Sequence, residues 1–313
     1  MAAVSVIVPA RDACATLSGL LDALAAQRPV AGGFEVIVAD DSSLDATGWI
    51  ARAHPVVTRV VDTGGVGPGA ARNAAVAVAT GAVLAFTDAD CIPEPDWLTA
   101  ALAALEAGAD VVQGAVVADG PVGPFDRTVR VDRLSGLYET ANLTVRAEWV
   151  ARVGGFEPWL SPRRSKELGE DVWLGWRLQR AGARVAFAPD ARVAHAVFPG
   201  TPAVFVAEHA RLRYFPVMVA RIPELRRTLA FGGLFLHRRT AAFDLAAAGI
   251  LAAGLTGRRT TLLAGLPYAR HVWRLSAPWG SRAPVVAAAR VAADAVGAVA
   301  LAAGSVRSGR PLL

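Results

Sequence analysis

The side chains best suited to chemistry stand in short clusters, each placed just after an apolar run. In "FTDADC", Asp88 and Asp90 follow "GAVLAF", and in "FEVIVADDSS", Asp40 and Asp41 follow a β-branched run. Asp12 follows "VSVIVPAR", and Glu170-Asp171 opens the helical pattern "EDVWLGWRLQRAG". Carboxylates brought to one edge repel by about 1–4 kcal/mol per close pair unless a cation lies between them. Hard divalent cations take oxygen ligands, so a bound divalent metal would resolve that repulsion. Acidic residues also favour a helix N-terminus for dipole reasons, which by itself explains part of the placement of Glu170 and Asp171.

The elements that must position these residues are legible as an alternation. "VSVIVPA", "FEVIVAD", "VTRVVDT" and "AVLAFTD" read as strands, separated by "ATLSGLLDALAAQ", "ATGWIARAH" and "GAARNAAVAVA" as helices, with "WLTAALAALEAG" after the fourth. Strand–helix alternation at this spacing predicts a parallel sheet with helices on both faces, and a ligand crevice at the carboxyl ends of the strands. The third loop, "TGGVGPGAARNAA", fits G-x-G-x-x-A through Gly65, Gly67 and Ala70. A dinucleotide fingerprint normally follows the first strand, and Pro68 interrupts this one, so the loop reads instead as backbone N–H groups and Arg72 facing phosphate. Farther on, "VVQGAVV" reads as a strand, 119–136 as a loop, "ANLTVRAEWVARVGGF" as a strand running into a short helix, and "RVAFAPDARVAHAV" as two short strands. The charged segment 161–169 is expected to act as a lid.

At 313 residues and 54% hydrophobic, the chain can bury a full α/β core and still carry an extension. Two cysteines, Cys14 and Cys91, are too few for a disulfide framework and suit a reducing compartment. The start "MAAVSVIVPARD" has no basic region followed by a long apolar one, so no signal peptide is expected. Net charge is −6 over residues 1–200 and +11 over 201–313.

Taken in order, "VSVIVPARD", "VIVADDSSLDAT", "GAARNAA", "FTDADC", "ANLTVR", "VGGF" and "GEDVWLGWRL" resemble the family 2 inverting glycosyltransferases of the GT-A fold, over roughly residues 3–200. The resemblance implies an α/β GT-A nucleotide-diphospho-sugar transferase fold, with a mixed, mostly parallel sheet flanked by helices and a C-terminal helical extension. It implies a catalytic domain over 1–204; beyond it, the composition of residues 205–313 predicts a basic, apolar helical region. By the same resemblance Asp88 and Asp90 match the motif that holds Mn²⁺ or Mg²⁺ on the donor diphosphate, with His195 completing the metal or phosphate site. Asp40 matches the base-recognising aspartate, Pro9, Ala10 and Asp12 the segment packed around the nucleoside, and Arg72 an arginine near the nucleotide. Asn142 and the Gly154-Gly155-Phe156 turn match the wall where donor sugar and acceptor meet. Asp171 matches the general base and Glu170 its partner. The Gln-x-x-Arg-Trp motif of the processive synthases is absent from "GWRLQRAG", which points to transfer of a single sugar. The expected partners are a UDP- or GDP-type sugar donor and a lipid-linked or cell-envelope acceptor, with no nucleic acid. Two rivals are a non-catalytic sugar-nucleotide-binding protein and a nucleotidyltransferase; the latter class places a glycine-rich loop and a lysine after the first strand, and "PARDACATL" has neither.

In the last third, apolar runs such as "TLAFGGLFL" and "AAFDLAAAGILAAGL" alternate with Arg238-Arg239, Arg258-Arg259 and Arg270. None reaches the roughly 20 uninterrupted apolar residues of a spanning helix. Arg290 and Asp294 interrupt the last one. Short apolar helices flanked by arginine suit an anionic membrane surface, so the expected location is cytoplasmic and peripheral on the inner face of the cell membrane.

Overall fold

β1 (Val4–Ala10) is the strand around which the sheet is built: nearly all of its side chains are buried, as a β-branched run covered on both faces requires. The computed structural model describes residues 3–160 and 168–313. Contacts divide the chain into one unit of Met1–Pro121 with Thr128–Val197 and a second of Val122–Arg127 with Phe198–Leu313.

In the first unit, β1 pairs in parallel with β2 (Phe34–Asp40) on one side and β4 (Val83–Phe86) on the other, and β2 pairs in parallel with β3 (Arg59–Asp62). The full order is β3-β2-β1-β4-β7-β6-β8-β5, where β5 is Cys91–Pro93, β6 Val111–Ala118, β7 Leu143–Arg146 and β8 Val185–His195. β7 runs antiparallel to β4 and β6, and β5 antiparallel to β8, so the sheet is mixed. Chain order reverses at β1 and β4, and such a switch point opens a crevice at the strands' carboxyl ends.

Helices α1 (Leu17–Ala25), α2 (Thr47–Ala53), α3 (Pro68–Val76), α4 (Trp97–Glu106), α5 (Ala147–Val153) and α6 (Glu170–Arg180) complete this unit. In α1, Leu17, Leu20, Leu21 and Leu24 recur at helical spacing and are fully buried in the main core, each contributing about 1.5–3 kcal/mol of burial. Two expectations from the sequence are revised. The segment expected to form two short strands is one strand, β8, whose pairing with β6 slips between Gly114 and Ala115. The stretch expected as a loop over 119–136 contributes Val131 to a bridge with Val116, and its residues Val122–Arg127 belong to the second unit.

The second unit holds α7 (Pro202–Glu208), α8 (Tyr214–Arg221), α9 (Leu225–Thr228), α10 (Arg238–Thr256), α11 (Leu266–Ser276) and α12 (Ala283–Ser308). The helical stretch Arg259–Ser308 is long and apolar enough to cross a membrane by length and composition, although no uninterrupted apolar run in it reaches that length. It is broken at Gly280, whose φ of 53° and ψ of −122° are not helical. Asp294 on α12 is buried, accepts from Tyr268 Oη at 2.8 Å and lies 3.0 Å from Arg239 Nε. These internal partners fit a helix packed within its unit, because an ionised side chain in hydrocarbon is costly.

Candidate active site

The parallel register sets the site's floor. Ala10 lies opposite Asp40, Asp40 opposite Asp62, and Phe86 opposite Ile7, so the loops after β1, β2, β3 and β4 leave the sheet along one edge. Pro9 is half-buried and Ala10 buried. Asp12 takes a left-handed φ of 49°, accepts from the Leu44 N–H at 2.8 Å, and its own N–H donates to Ser43 Oγ at 3.0 Å. The β1 and β2 loops are thereby stitched together. Asp40 is buried at the strand end and accepts from the Ser43 N–H at 3.1 Å. Helix α2 approaches it so closely that a Cβ on Gly48 would collide with Asp40 Oδ2.

Asp41, which sequence reasoning passed over, organises the glycine loop. Its Oδ1 accepts from Thr63 Oγ1 at 2.8 Å and the Val66 N–H at 2.7 Å, and its Oδ2 from the Gly67 N–H at 3.0 Å. Burial works against its ionisation, yet these bonds and Arg11, 3.7 Å away, outweigh it and hold the carboxyl below its ordinary value. The N–H groups of Val66 and Gly67, expected to face phosphate, are spent on Asp41. The adjacent acids of "ADDSS" ahead of a glycine-rich loop were the available signal.

Arg72 is held beside Asp88. Its guanidinium is buried, donating from Nη2 to Asp88 Oδ1 at 2.8 Å and from Nη1 to Glu170 Oε1 at 3.3 Å, and it sits 5.5 Å from the Phe156 ring centroid. It is a strut between two carboxylates. Burial opposes its charge, but Asp88, Glu170 and Asp171 outweigh that and raise its pKa further.

Glu170 and Asp171 open α6 immediately after Gly169, which adopts a left-handed φ of 72°. Asp171 Oδ1 accepts from the Val172 N–H at 2.7 Å. Burial, then the neighbouring Glu170 charge, push the Asp171 carboxyl well above its ordinary value; Arg72 and the Val172 N–H pull the other way, and Glu139 adds to the rise. The expected lid falls mostly on residues 161–167, outside those described.

On the other side of the β4 loop, Asp90, Cys91 and His195 place three potential donor atoms within 4.8 Å of one another. His195 Nδ1 lies 2.8 Å from the Ala196 carbonyl oxygen, which can only accept, so in the neutral ring Nδ1 carries the hydrogen. His195 Nε2 lies 3.6 Å from Asp90 Oδ1, and a ring whose other nitrogen binds a backbone carbonyl is the usual arrangement of a ligating histidine. Asp90 and His195 thus fit a hard divalent ion, while Asp88, whose Oδ1 accepts from Arg72, lies outside that cluster. Burial first, then Asp88 and Asp90, push the Cys91 thiol well above its ordinary value, so it stays protonated and suits such an ion poorly.

Asn142 does not reach the site. It is buried, donates from Nδ2 to the Ala115 and Ala191 carbonyls at 2.8 Å each, and accepts at Oδ1 from Trp97 Nε1 at 2.8 Å. These two carbonyls flank the slip between β6 and β8, where the ladder loses its regular pairing. Asn142 satisfies them, which corrects its expected place beside donor and acceptor. The glycine turn is likewise held by packing: Asn73 clamps the Phe156 backbone through Nδ2 to O at 2.7 Å and N to Oδ1 at 2.8 Å, and a Cβ on Gly155 would meet Asn73 Oδ1.

Residues 5–157 match the family described as Glycosyl transferase family 2. Glycosyltransferase AglE of Haloferax volcanii is 31% identical over 211 residues, covering 63% of this chain and 67% of that protein. The pre-mycofactocin glycosyltransferase of Mycobacterium tuberculosis is 29% identical over 212 residues, 61% of this chain but 42% of that longer protein. Among solved structures, the mannosyltransferase PcManGT from Pyrobaculum calidifontis, in complex with GDP-Man and Mn²⁺, superposes with a TM-score of 0.66 at 23% identity, covering 94% of this chain and 86% of that one. TarS 1–349 of S. aureus gives 0.52 at 19% identity, covering 99% and 92%. At these identities the two structures speak for a common fold.

Proposed function

Because this chain belongs to glycosyl transferase family 2 and carries the GT-A fold, we propose that it moves one sugar from a UDP- or GDP-type donor to an acceptor hydroxyl, with inversion and with help from Mn²⁺ or Mg²⁺. The observation that carries this reading is the approach of the Asp90 and His195 donor atoms to one another at the carboxyl edge of the sheet, 3.6 Å apart, with Asp88 two residues before Asp90 in the same loop. A donor of this class is further supported by the GDP-Man and Mn²⁺ in PcManGT and the UDP-GlcNAc in TarS.

The residues divide the work. Asp40, a carboxylate at a strand end, accepts from the imide N–H of uracil or guanine, while Pro9, Ala10 and Asp12 pack around the nucleoside. Asp88, Asp90 and His195 would hold the divalent ion, which supplies positive charge against the departing diphosphate. Asp171 takes the proton from the acceptor hydroxyl as it attacks the anomeric carbon opposite the diphosphate. Its raised pKa makes it a stronger proton acceptor than an ordinary carboxylate. Arg72 fixes Asp88 and Glu170 relative to each other.

We assign catalysis to residues 1–204 and attachment to an anionic membrane surface, on the cytoplasmic side, to residues 205–313, whose charge is strongly positive. A lipid-linked or cell-envelope acceptor suits that location. A panel of UDP- and GDP-sugars, screened by thermal shift and donor hydrolysis with and without Mn²⁺, tests the proposal: one donor should stabilise the protein only with the metal present, and be hydrolysed. Stabilisation without any turnover would support a non-catalytic binder instead.

A further inference from the structure

Resting on the membrane reading above, we infer that the part of the second unit that enters the headgroup layer is the hairpin tip between α10 and α11, and that α12 stays out of it. Five leucines between positions 251 and 266, Leu251, Leu255, Leu262, Leu263 and Leu266, are from 47% to 78% exposed. Single exposed leucines are ordinary, but five at one end of one hairpin form an apolar surface in need of a partner. The hairpin's own packing does not use them. Its seam is made of small residues: a Cβ on Gly249 would press on the Thr261 carbonyl at 2.5 Å, Thr261 Oγ1 donates to the Gly249 carbonyl at 2.9 Å, and Gly265 faces Ala246. With the seam closed by glycine, alanine and threonine, the leucines point outward.

Charge names the partner. Between Asp244 and Asp294 there is no carboxylate and there are six arginines, of which Arg258 and Arg259 are exposed at the tip itself and Arg270 and Arg274 are exposed on α11. Leucines flanked by arginines, with no acidic residue among them, match an anionic lipid surface: the apolar side chains sink to the acyl boundary and the guanidinium groups meet phosphate. On α12, by contrast, the carboxylate of Asp294 is bound inside its own unit by Tyr268 and Arg239.

The test is co-sedimentation of the full chain with vesicles of phosphatidylcholine, with and without phosphatidylglycerol. Wild type should bind only the anionic vesicles, and less so in high salt. Leu255→Glu/Leu262→Glu/Leu263→Glu should lower partitioning by at least about tenfold, and Arg258→Gln/Arg259→Gln by about fivefold per arginine. The arginine pair carries the test if the leucine variant does not fold. Val299→Glu/Val306→Glu, on the exposed face of α12, should bind as wild type. If the hairpin variants bind normally while the α12 variant does not, the hairpin assignment is wrong and the membrane reading survives. If wild type binds no vesicle, the membrane reading itself fails. A lipid-free dimer that the leucine variant converts to monomer would give the surface to a second copy of the chain instead.

Discussion

Arg72 and Asp88 are joined by a half-buried charge-assisted hydrogen bond, Nη2 to Oδ1 at 2.8 Å, and the other arm of the same guanidinium reaches the buried Glu170. The first half of the donor motif and the start of the helix bearing Asp171 are thus held by one side chain. Removing its charge leaves buried carboxylates uncompensated. Arg72→Gln should destabilise the fold by about 3–5 kcal/mol, and it should move the acidic limb of the pH–rate profile to higher pH, because Arg72 pulls the Asp171 pKa down. Arg72→Lys restores charge without the fork and should recover the pH profile more than the stability. A denaturation curve and a kcat–pH series measure both. An unmoved acidic limb in the glutamine variant would remove the coupling to Asp171.

Asp171 gives a pair of opposite effects. As a general base it must be ionised, so turnover should rise as pH increases through its raised pKa, and Asp171→Asn should cut turnover by about 10²–10⁴-fold with donor affinity little changed. Stability has the other sign. A carboxyl whose folded pKa lies above its unfolded value binds more protons when folded, so it contributes most at low pH and costs stability as pH rises through the folded value. Asp171→Asn should therefore raise Tm at neutral pH and leave it nearly unchanged in acid. Thermal melts at both pH values check this, and a lower Tm at neutral pH would contradict the burial argument.

Strand-end carboxylates were readable from the sequence because each sits directly after an apolar run, and a parallel strand delivers its last residue to a shared edge. Long-range neighbours were not. That Arg72 joins Asp88 to Glu170, 98 positions later in the chain, depends on where α6 packs, and no local pattern carries it. Asn142 misled for a similar reason. Its segment resembles a sugar-binding wall, but its side chain answers a slip in the pairing of β6 and β8, which arises from three residues of β8 left outside the ladder. Asp41 was visible as a residue and hidden as a function, since its partners are backbone N–H groups of another loop.

Asn142 can be tested as a structural residue. Asn142→Ala leaves the Ala115 and Ala191 carbonyls and the Trp97 indole N–H without their partner, each costing about 1–3 kcal/mol when buried and unpaired. A large loss of stability by urea denaturation is expected, with donor KM unchanged in whatever fraction folds. A weakened donor KM in a variant of normal stability would return Asn142 to the site.

The metal site makes a separate claim. Asp90→Ala should lower Mn²⁺-dependent binding of nucleoside diphosphate while leaving the fold intact, since its side chain is partly exposed, and His195→Ala should lower it too, with some loss of stability because His195 is buried. Cys91→Ala should leave Mn²⁺ affinity unchanged, because a buried, protonated thiol is no ligand for a hard ion. Calorimetry with UDP or GDP, with and without Mn²⁺, measures all three.

The most direct test of the central claim is the anomeric configuration of the first product. Incubated with Mn²⁺ and the donor selected by the screen, the enzyme should release sugar to water, and proton NMR recorded before mutarotation should show the anomer opposite to that of the donor. Release should fall by about 10²–10⁴-fold in Asp171→Asn. Sugar released with the donor's own configuration, or at a rate indifferent to Asp171, would contradict inversion by a base on α6.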